Sequence, residues 1–409
     1  MQLEINQLAN TLEKNGAEKT LVAFEKINPA TRDRVQYLLN RGILKKLTGD
    51  FKGAVVDLEK AKNLSNPLAA TSLSENFGAA TINETLRSFI GSPSERIIIH
   101  SMLALNYLAQ GDLLAARVEM LQADITMREL AQKDSNSGQL ASSHYLTGVI
   151  YELNNEYDNA MISYRRAAKL VDVRGHPMPR ALADSLLYLS QRTGLQQQYR
   201  QYQKRFNRST EPLKAGERDI FVFYDQGVVS NKRQHFISVY NFHAQQNITL
   251  ALPYYPAKQY QPQRLYFSVN GKKTSTQLIE DIDGLVRADL NADMPTITAT
   301  TLARSVAKYQ AVRQAQRKDE IAGLLLNLAT TFSETADLRS WNMLPANIQV
   351  ARIRSAKSEA IYLQDGTMLN QPNQHQKFTM IDFKHGQARL ILANSITLPA
   401  RNMLTIGTY

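Results

Sequence analysis

Apolar residues recur every three to four positions through the first half of the chain, a spacing typical of helices that bury one face. Three stretches of this half share a second feature, a short turn between two such apolar runs. The turns centre on Gly49, Gly111 and Asn155. The pattern therefore predicts paired helices over residues 31–212, preceded by a shorter helical pair over residues 1–30.

Each predicted pair carries small residues where its two helices would touch and large residues beside them. The matching positions are Leu38, Gly42, Gly49, Phe51, Ala54, Leu58, Ala61 and Leu64 in the first pair, Leu103, Ala104, Tyr107, Gly111, Ala116, Met120 and Ala123 in the second, and Gly148, Tyr151, Tyr157, Ala160, Tyr164, Ala167 and Leu170 in the third. This spacing is typical of the tetratricopeptide repeat, a unit of about 34 residues. The turns are 111 − 49 = 62 and then 155 − 111 = 44 residues apart. An insertion is therefore expected over residues 67–95, and a helical stretch over residues 180–206 is expected to cap the array.

The apolar period changes from about 3.6 to two residues after Pro212. Strand-like runs cover residues 220–224, 236–240, 249–253, 264–269, 349–353, 360–363, 378–383, 388–392 and 403–406. Asn270-Gly271 is typical of a two-residue hairpin turn, and a helical region is expected over residues 300–331. We predict a β-rich α+β domain over residues 213–409. The whole chain is then an α+β multidomain protein with an N-terminal tetratricopeptide-type superhelix.

The first helices of such pairs line a concave surface, which predicts a partner-binding groove. The register of the turns places these residues on it: Gln36, Leu39, Ile43 and Lys46; Ile98, Ser101, Leu105 and Leu108; Tyr145, Val149 and Glu152. This face is apolar at its centre and polar at its edges, as an amphipathic helix or an extended peptide requires. The alternative is that the insertion after Pro67 or the β-rich domain fills the groove from within the chain.

The charge of the chain favours anionic partners. It has 48 Lys and Arg residues against 37 Asp and Glu, a net charge of +11, which attracts acidic proteins, anionic polymers or nucleic acid. The basic residues are dispersed, however, as in an ordinary solubilising surface. The densest helical cluster is Arg304, Lys308, Arg313, Arg317 and Lys318. It lacks alternating aromatic residues for base stacking, which argues against nucleic acid.

Composition also limits the chemistry. The absence of cysteine excludes disulfides, thiolate catalysis and zinc-thiolate sites. No run reaches the roughly 18 apolar residues of a membrane-spanning helix. The opening stretch over residues 1–6 lacks the basic start and apolar core of a signal peptide, so none is expected there.

No motif predicts catalysis. The sequence has no phosphate loop, no nucleophile elbow and no histidine pair at metal-binding spacing. Glu280, Asp283, Asp289 and Asp293 form an acidic stretch, but Gly284 is misplaced for a calcium loop, so a solvated turn is expected. We therefore predict no enzyme activity, no cofactor and no metal.

Four polar residues of the repeats have structural interpretations. His100 and His144 occupy the same position in the second and third pairs, where such repeats carry a packing residue, so both are expected in the core. Arg117 and Glu119 are too close in sequence to face each other on one helix. Each is therefore expected to form an ion pair with a neighbouring helix.

The stretch over residues 334–346 combines both charge signs with the only tryptophan. Its notable residues are Glu334, Asp337, Arg339, Trp341 and Pro345. One interpretation is a carboxylate- or sugar-binding surface. The favoured one is a structural lock between the long helix and the sheet, with Asp337 and Arg339 paired and Trp341 in the core, because a lone tryptophan beside apolar residues is more often buried.

These residues resemble an uncharacterised family of bacterial envelope lipoproteins. The matching stretches are residues 72–74, 100–108, 111–119, 144–152, 227–232, 304–308 and, most specifically, the Ala-Asp-Leu-Arg-Ser-Trp-x-x-Leu-Pro-Ala motif over residues 336–346. The resemblance covers nearly the whole chain. It implies a protein on the periplasmic side of the outer membrane, held there by an N-terminal lipid on a cysteine. This sequence contains no cysteine or lipobox, and the family has no established activity to transfer.

The combined prediction is a non-enzymatic protein-interaction scaffold of the bacterial cell envelope. The concave face would bind an envelope protein, and the C-terminal domain would dock on a machine for cell-wall synthesis, polymer export or secretion. One alternative is a module that binds peptidoglycan or another polysaccharide, which requires an exposed aromatic row such as Tyr254, Tyr255, Tyr260 and Tyr266. The other is an envelope hydrolase with paired carboxylates in a pocket.

Overall fold

The computed structural model describes the backbone of residues 1–72, 89–131, 137–241, 246–257, 262–269, 271–316, 335–357, 361–363, 378–383, 387–398 and 403–405. Helices dominate as far as residue 206, and strands with one long helix follow. The predicted fold class, a helical repeat array followed by a β-rich α+β part, is confirmed.

The helices of the first half are α1 (Gln2–Asn15), α2 (Ala17–Phe24), α3 (Arg34–Leu47), α4 (Phe51–Ser72), α5 (Pro93–Ala109), α6 (Leu113–Ala131), α7 (Ala141–Leu153), α8 (Tyr157–Val173), α9 (Arg180–Arg192) and α10 (Gln196–Phe206), with a 3-10 turn at Thr31–Asp33. They pack as consecutive pairs, and α3 with α4, α5 with α6 and α7 with α8 are the three repeats. Residues 180–206, expected as a cap, form a further pair. Helix α4 continues to Ser72, so the expected insertion over residues 67–95 begins with helix.

Small residues bring the paired helices together. The alanines at 54, 61, 116, 123, 160 and 167 are fully buried. A Cβ atom on Gly148 would lie 2.4 Å from the ring of Tyr164 on the next helix. The turns need a left-handed backbone at Gly49, Gly111 and Asn155, whose φ angles are 86°, 78° and 63°. Glycine adopts this conformation without strain, and asparagine tolerates it better than most residues.

The strands are β1 (Glu217–Gln226), β2 (Arg233–Asn241), β3 (Gln246–Tyr254), β4 (Gln263–Val269), β5 (Lys272–Ser275), β6 (Gln277–Glu280), β7 (Asn347–Ala356), β8 (Ile361–Leu363), β9 (Phe378–Phe383), β10 (Ala388–Asn394) and β11 (Met403–Thr405). A five-stranded sheet has the order β6-β7-β1-β10-β9, and only β1 and β10 are parallel neighbours in it. Strands β11, β4 and β5 form a second sheet that β8 joins through β4. Strands β2 and β3 form a separate hairpin.

The long helix α11 (Ile282–Gln316) begins well before residue 300, where it was expected, and residues 317–331 lie outside the described part. The acidic stretch around the start of this helix was expected to be a solvated turn. That prediction is wrong, because Glu280 ends β6 and Asp283 and Asp289 lie on α11, all three buried. Buried carboxylates require hydrogen-bond donors. Here these are Arg287 of the same helix for Asp283, and groups of other elements for Asp289 and Glu280.

The five-stranded sheet lies between the helices and the second sheet. Alternate residues of β1 point to opposite faces. Phe221 and Phe223 join the core of the helical repeats, while Ile220, Val222 and Tyr224 join a second core with β4. The two halves of the chain therefore share one hydrophobic core. In the residues that the structure describes, no helix has the length and apolar character needed to cross a membrane.

Candidate functional site: the concave face of the helical array

The first helices of the three repeats, α3, α5 and α7, line a common face, and the C-terminal half of the chain covers it. The residues predicted to form a partner-binding groove are Gln36, Leu39, Ile43, Lys46, Ile98, Ser101, Leu105, Leu108, Tyr145, Val149 and Glu152. All are buried except Lys46, whose side chain is almost so. The prediction of an accessible groove is therefore wrong. The physical reason is that the face is apolar, and the loop before β7 and the inner face of the sheet bury it within the same molecule.

Residues 339–345, here named the Trp341 loop, fill the part of the face nearest α3. The Trp341 indole Nε1–H donates to the carbonyl oxygen of Leu39 at 2.9 Å. The Met343 backbone N–H donates to the side-chain oxygen of Asn40 at 2.9 Å. Gln36 Nε2 donates to the Ser340 carbonyl oxygen at 3.0 Å. Because these bonds pair side chains of one half with backbone of the other, they fix the position of the loop as well as its burial.

The motif that contains this loop matches its structural interpretation in part. Arg339 pairs with Asp337 at 2.6 Å, and Trp341 is fully buried. Arg339 also reaches Asp33 at 3.2 Å. Pro345 lies beside Ile43 at the edge of a small hollow, whereas Glu334 lies outside the described residues. The lock therefore joins the sheet to the helical repeats, not to the long helix as expected.

A charged cluster occupies the other end of the concave face. Arg352 on β7 donates to Glu152 on α7 at 2.7 Å and to Asp219 on β1 at 2.9 Å. Burial by itself would lower the pKa of Arg352, but the charges of Asp219 and Glu152 outweigh it and raise that pKa. Burial would raise the pKa of Asp219, and Arg352 and Arg354 hold it below its usual value. The charges of Arg352 and Asp219 thus compensate each other within a buried ion-pair cluster that Glu152 completes.

Two acidic side chains of the C-terminal half cap helices of the repeats. Asp289 accepts from the Ser94 backbone N–H at 2.9 Å, in the first turn of α5. Glu280 accepts from the Ser142 backbone N–H at 3.0 Å, in the first turn of α7, and pairs with Arg174. The first N–H groups of a helix lack partners and carry partial positive charge, so these carboxylates stabilise the helix ends. Burial raises the pKa of Glu280.

Sequence reasoning missed these contacts, although one signal was present. Val350, Arg352 and Arg354 alternate along β7 and so share a face, and Val350 is in the core. An arginine in register with a core valine indicates a buried charge and therefore a carboxylate partner. The partner's identity was hidden, because Glu152 lies 200 positions away in the sequence.

Lys46 lies at the edge of the covered face and forms an ion pair with Asp225 of β1 at 2.5 Å. Beside it a cleft of about 50 Å³ separates the α3–α4 turn from β10. A few water molecules fill such a volume, whereas small-molecule sites measure roughly 300–1,000 Å³. The cleft therefore does not suit an organic ligand.

Three of the four polar repeat residues discussed in the sequence analysis, Arg117, Glu119 and His100, form contacts between helices. Arg117 pairs with Glu156, next to α8, at 2.7 Å. Glu119 pairs with Lys62 of α4 and with His100 of α5, both at 2.8 Å. His144 is buried, and burial lowers its pKa to about 4. Among the described residues, no group of three or more histidine and acidic side chains is placed to hold a metal ion.

The tyrosines proposed for carbohydrate binding do not form an exposed row where the structure describes them. Tyr254 is partly exposed on β3. Tyr255 packs under Arg287, whose guanidinium carbon is 5.5 Å from the ring centre. Tyr266 is half-buried on β4, in another sheet, and Tyr260 lies outside the described residues.

The β2–β3 hairpin presents the clearest unpaired edge in the described part of the chain. Strand β2 has nine residues and, among the described strands, pairs with β3 alone, from Arg233 opposite Tyr254 to Asn241 opposite Gln246. On β3, Leu250 and Leu252 pack against Met294, Ile297 and Val306 of α11. On β2, Phe236 is 58% exposed and Ile237 is also exposed. The hairpin is thus anchored through β3, and no other described strand pairs with the outer edge of β2.

Comparisons with known proteins find partial structural similarity to helical-repeat proteins. No protein-family model matches the chain, and no curated protein is significantly similar in sequence. A crystal structure of MamA aligns with 48% of this chain and 89% of its own length, at 17% identity and a TM-score of 0.32. The apo form of RapI aligns with 48% of this chain and 49% of its own length, at 10% identity and a TM-score of 0.37. Tetratricopeptide-like repeats named as a putative kinesin light chain from Podospora anserina align with 50% of this chain and 96% of their own length. The identity is 17% and the TM-score is 0.34. Because these TM-scores and identities are low, the repeat assignment rests on the helix pairing described above.

Proposed function

We propose that this protein is a non-enzymatic protein-interaction scaffold of the bacterial cell envelope. Its helical repeats hold its own C-terminal half, and the β2–β3 hairpin binds the partner. This revises the sequence-based expectation of the binding surface while keeping the class of function. The exposed edge of β2 is the observation that carries the proposal.

An unpaired strand edge presents a row of backbone N–H and C=O groups that a second chain can complete. Soluble proteins commonly protect such edges with charges, prolines or covering loops. Strand β2 instead places Phe236 and Ile237 in its middle, on opposite faces, and both are exposed. An added strand would hydrogen-bond to the edge and bury both side chains.

The partner that suits this edge is an extended protein segment with alternating apolar residues and an acidic residue. Arg233, exposed at the start of β2, is the basic residue that would meet the acidic one. The net charge of +11 favours an acidic partner during encounter as well. Because β3 is packed on α11, the edge is already ordered before binding, which lowers the entropic cost of adding a strand.

The location in the envelope is supported by the family resemblance alone. That resemblance implies the periplasmic side of the outer membrane and membrane association through an N-terminal lipid. It also supports an envelope machine as the wider assembly, such as one for cell-wall synthesis, polymer export or secretion. Cell fractionation of the native protein, with globomycin treatment to block lipoprotein processing, tests this part separately.

The binding surface is tested by in-cell photo-crosslinking from position 236. A photoreactive residue at Phe236 should crosslink to one partner through an extended segment of that partner, identified by mass spectrometry. The purified partner should then bind the purified protein, and Ile237→Lys should weaken that binding at least tenfold. The matched control is Leu3→Lys on α1, where an exposed leucine should be replaceable without loss.

Two results would contradict the proposal. One is a probe at position 236 that crosslinks only within its own chain. The other is retention of the protein on purified murein sacculi that Ile237→Lys does not change, since this would indicate a polysaccharide-binding module instead.

A further inference from the structure

A buried arginine lies at one end of the second core. Arg218 is the second residue of β1 and is only 4% exposed. It comes two positions before Ile220, so its side chain lies on the face of β1 that joins the second core. Its Nε–H has no hydrogen-bond acceptor, and none of the ion pairs between described residues includes this arginine.

The charges that act on Arg218 are those of Arg389 and Asp382, and these two compensate each other. Arg389 on β10 donates to Asp382 on β9 through two bonds of 2.6 and 2.8 Å. Burial lowers the pKa of Arg218, the charge of Arg389 lowers it further, and Asp382 opposes them only in part. Because Asp382 is paired with Arg389, one positive charge at this end of the sheet remains uncompensated among the described residues.

A buried charge without a counter-charge is unfavourable. A guanidinium loses its hydration on burial and normally recovers the lost free energy from a carboxylate, as Arg352 does from Asp219 in the same sheet. Arginine keeps its proton at neutral pH, so Arg218 cannot avoid this cost by becoming neutral. A bound anion would offset it.

Two uncharged residues with donor groups flank Arg218 in the sheet. On β7, Ser355 is its direct partner in the register and is buried, and its hydroxyl makes only a long 3.3 Å bond to a backbone carbonyl. On the β10 side lies Gln387, whose carbonyl oxygen accepts from the Asp219 backbone N–H at 3.2 Å. Gln387 and Asp382 are both exposed, so solvent reaches this end of the sheet.

We propose that Arg218 is an anion-binding residue whose ligand is a small free carboxylate. The uncompensated charge is a single positive one, which a carboxylate balances and a phosphate dianion exceeds. The planar guanidinium offers two parallel N–H groups to the two carboxylate oxygens, and Ser355 and Gln387 can supply further donors. Because Arg218 is almost fully covered, a ligand of the size of acetate suits it better than a protein segment. The site lies on strands other than β2 and β3, so it is independent of the partner-binding edge.

Thermal unfolding of the purified full chain tests the site, with acetate replacing chloride at neutral pH and constant ionic strength. We expect the thermal midpoint to rise with the logarithm of the acetate concentration, because the ligand binds the folded state alone. Arg218→Met should abolish this dependence. In chloride alone the variant should be at least as stable as the parent, since an uncompensated buried charge is gone. The matched control is Arg200→Met, at an exposed position of α10, which should keep the acetate response of the parent.

Nuclear magnetic resonance of the chain labelled with ¹⁵N-arginine measures the binding directly. The Nε–H signal of Arg218 is identified by its loss in Arg218→Lys, and it should shift saturably as acetate is added. We expect a dissociation constant on the order of 1 mM, because so small a ligand makes few contacts. The Nε–H of Arg41, which donates to Asp57 at 2.7 Å, should not shift. Arg218→Lys keeps the charge but not the paired N–H groups, so its thermal response to acetate should be severalfold weaker.

Three results would overturn the proposal. One is a parent chain in which neither the thermal midpoint nor the Arg218 signal responds to acetate. Another is an acetate response that Arg218→Met leaves unchanged. The third is a response to inorganic phosphate that depends on Arg218 and exceeds the response to acetate, since this would show a site for a dianion. If Arg218→Met does not fold, the titration of the parent and the Arg218→Lys variant decide the question.

Discussion

The indole N–H of Trp341 donates a 2.9 Å hydrogen bond to the carbonyl oxygen of Leu39, across 302 positions of sequence. Leu39 lies on the face of α3 that such repeats commonly leave open to a partner, and Trp341 belongs to the C-terminal half of the same chain. This one contact shows how the molecule is organised. The concave face of the repeats holds the C-terminal half of the same chain, so a partner would have to bind at another surface.

Replacing Trp341 should destabilise both halves together. Trp341→Phe removes the donor to Leu39 and leaves a small void, so we expect a loss of about 1–3 kcal/mol in the free energy of unfolding. Urea unfolding followed by far-UV circular dichroism measures it, since the variant lacks the only tryptophan. Phe236→Leu, at an exposed position, should change stability by less than about 0.5 kcal/mol. Two separate transitions, with only one of them shifted, would show that the halves are not coupled.

Removing Arg352 should be more costly than removing a surface arginine. Arg352→Met leaves Glu152 buried without its cation and leaves Asp219 with only the longer contact to Arg354 at 3.4 Å, which we expect to cost about 3–5 kcal/mol. Adding Glu152→Gln should recover part of this loss, because the uncompensated charge of Glu152 is then gone. The matched control is Arg117→Met, whose partner Glu156 is partly exposed and whose loss should cost at most about 1 kcal/mol. Equal losses at the two arginines in chemical denaturation would contradict the burial of this cluster.

Acid should destabilise the protein through His144. Burial lowers the pKa of this histidine from 6.5 to about 4, so the unfolded chain binds its proton first as the pH falls. The stability present above pH 6.5 is therefore lost progressively toward pH 4, by up to about 3 kcal/mol. His144→Gln should flatten this part of the profile of unfolding free energy against pH. His235→Gln, which replaces an exposed histidine, should leave the slope as in the parent, and an unchanged slope in His144→Gln would refute the assignment.

Two glycines of the repeats should respond differently to alanine. Alanine favours helix by about 1 kcal/mol over glycine, but a Cβ on Gly148 would lie 2.4 Å from the ring of Tyr164. We expect Gly148→Ala to cost about 1–3 kcal/mol through overpacking. At Gly42 the nearest atoms belong to the Leu58 side chain, at 2.9 Å, so the added Cβ would overlap its neighbour less than at Gly148. Gly42→Ala should therefore lower the thermal midpoint less, and the reverse order would show that the α7–α8 contact is looser than described.

The helix pairs were predictable because their determinants are local. Ala116 and Ala123, seven residues apart, already indicate that a second helix approaches closely on one side. The strand pattern was equally local, and β1, β4 and β10 cover the runs expected for them. The start of α11 was missed because Asp283 and Asp289 read as solvent-exposed. In the fold Asp283 accepts from the Ser230 backbone N–H and from Arg287 of its own helix, and Asp289 accepts from the Ser94 backbone N–H, 195 positions away.

What covers the concave face could not be derived from the same patterns. An apolar stripe at Leu39, Leu105 and Val149 is the same whether it meets a foreign peptide or the chain's own sheet. The two outcomes differ only in where the second half of the chain lies in space, and periodicity carries no information on that.

The sequence by itself determined the local elements, the repeat type and the fold class, because hydrophobic period and turn residues act over a few positions. Only the tertiary structure decided that the concave face is occupied, that Arg352 has buried partners, and that β2 pairs with β3 alone among the strands that the structure describes. Contacts such as that of Trp341 with Leu39 join residues hundreds of positions apart. They depend on how the whole chain excludes water from its apolar surface, a balance that no short stretch of sequence contains.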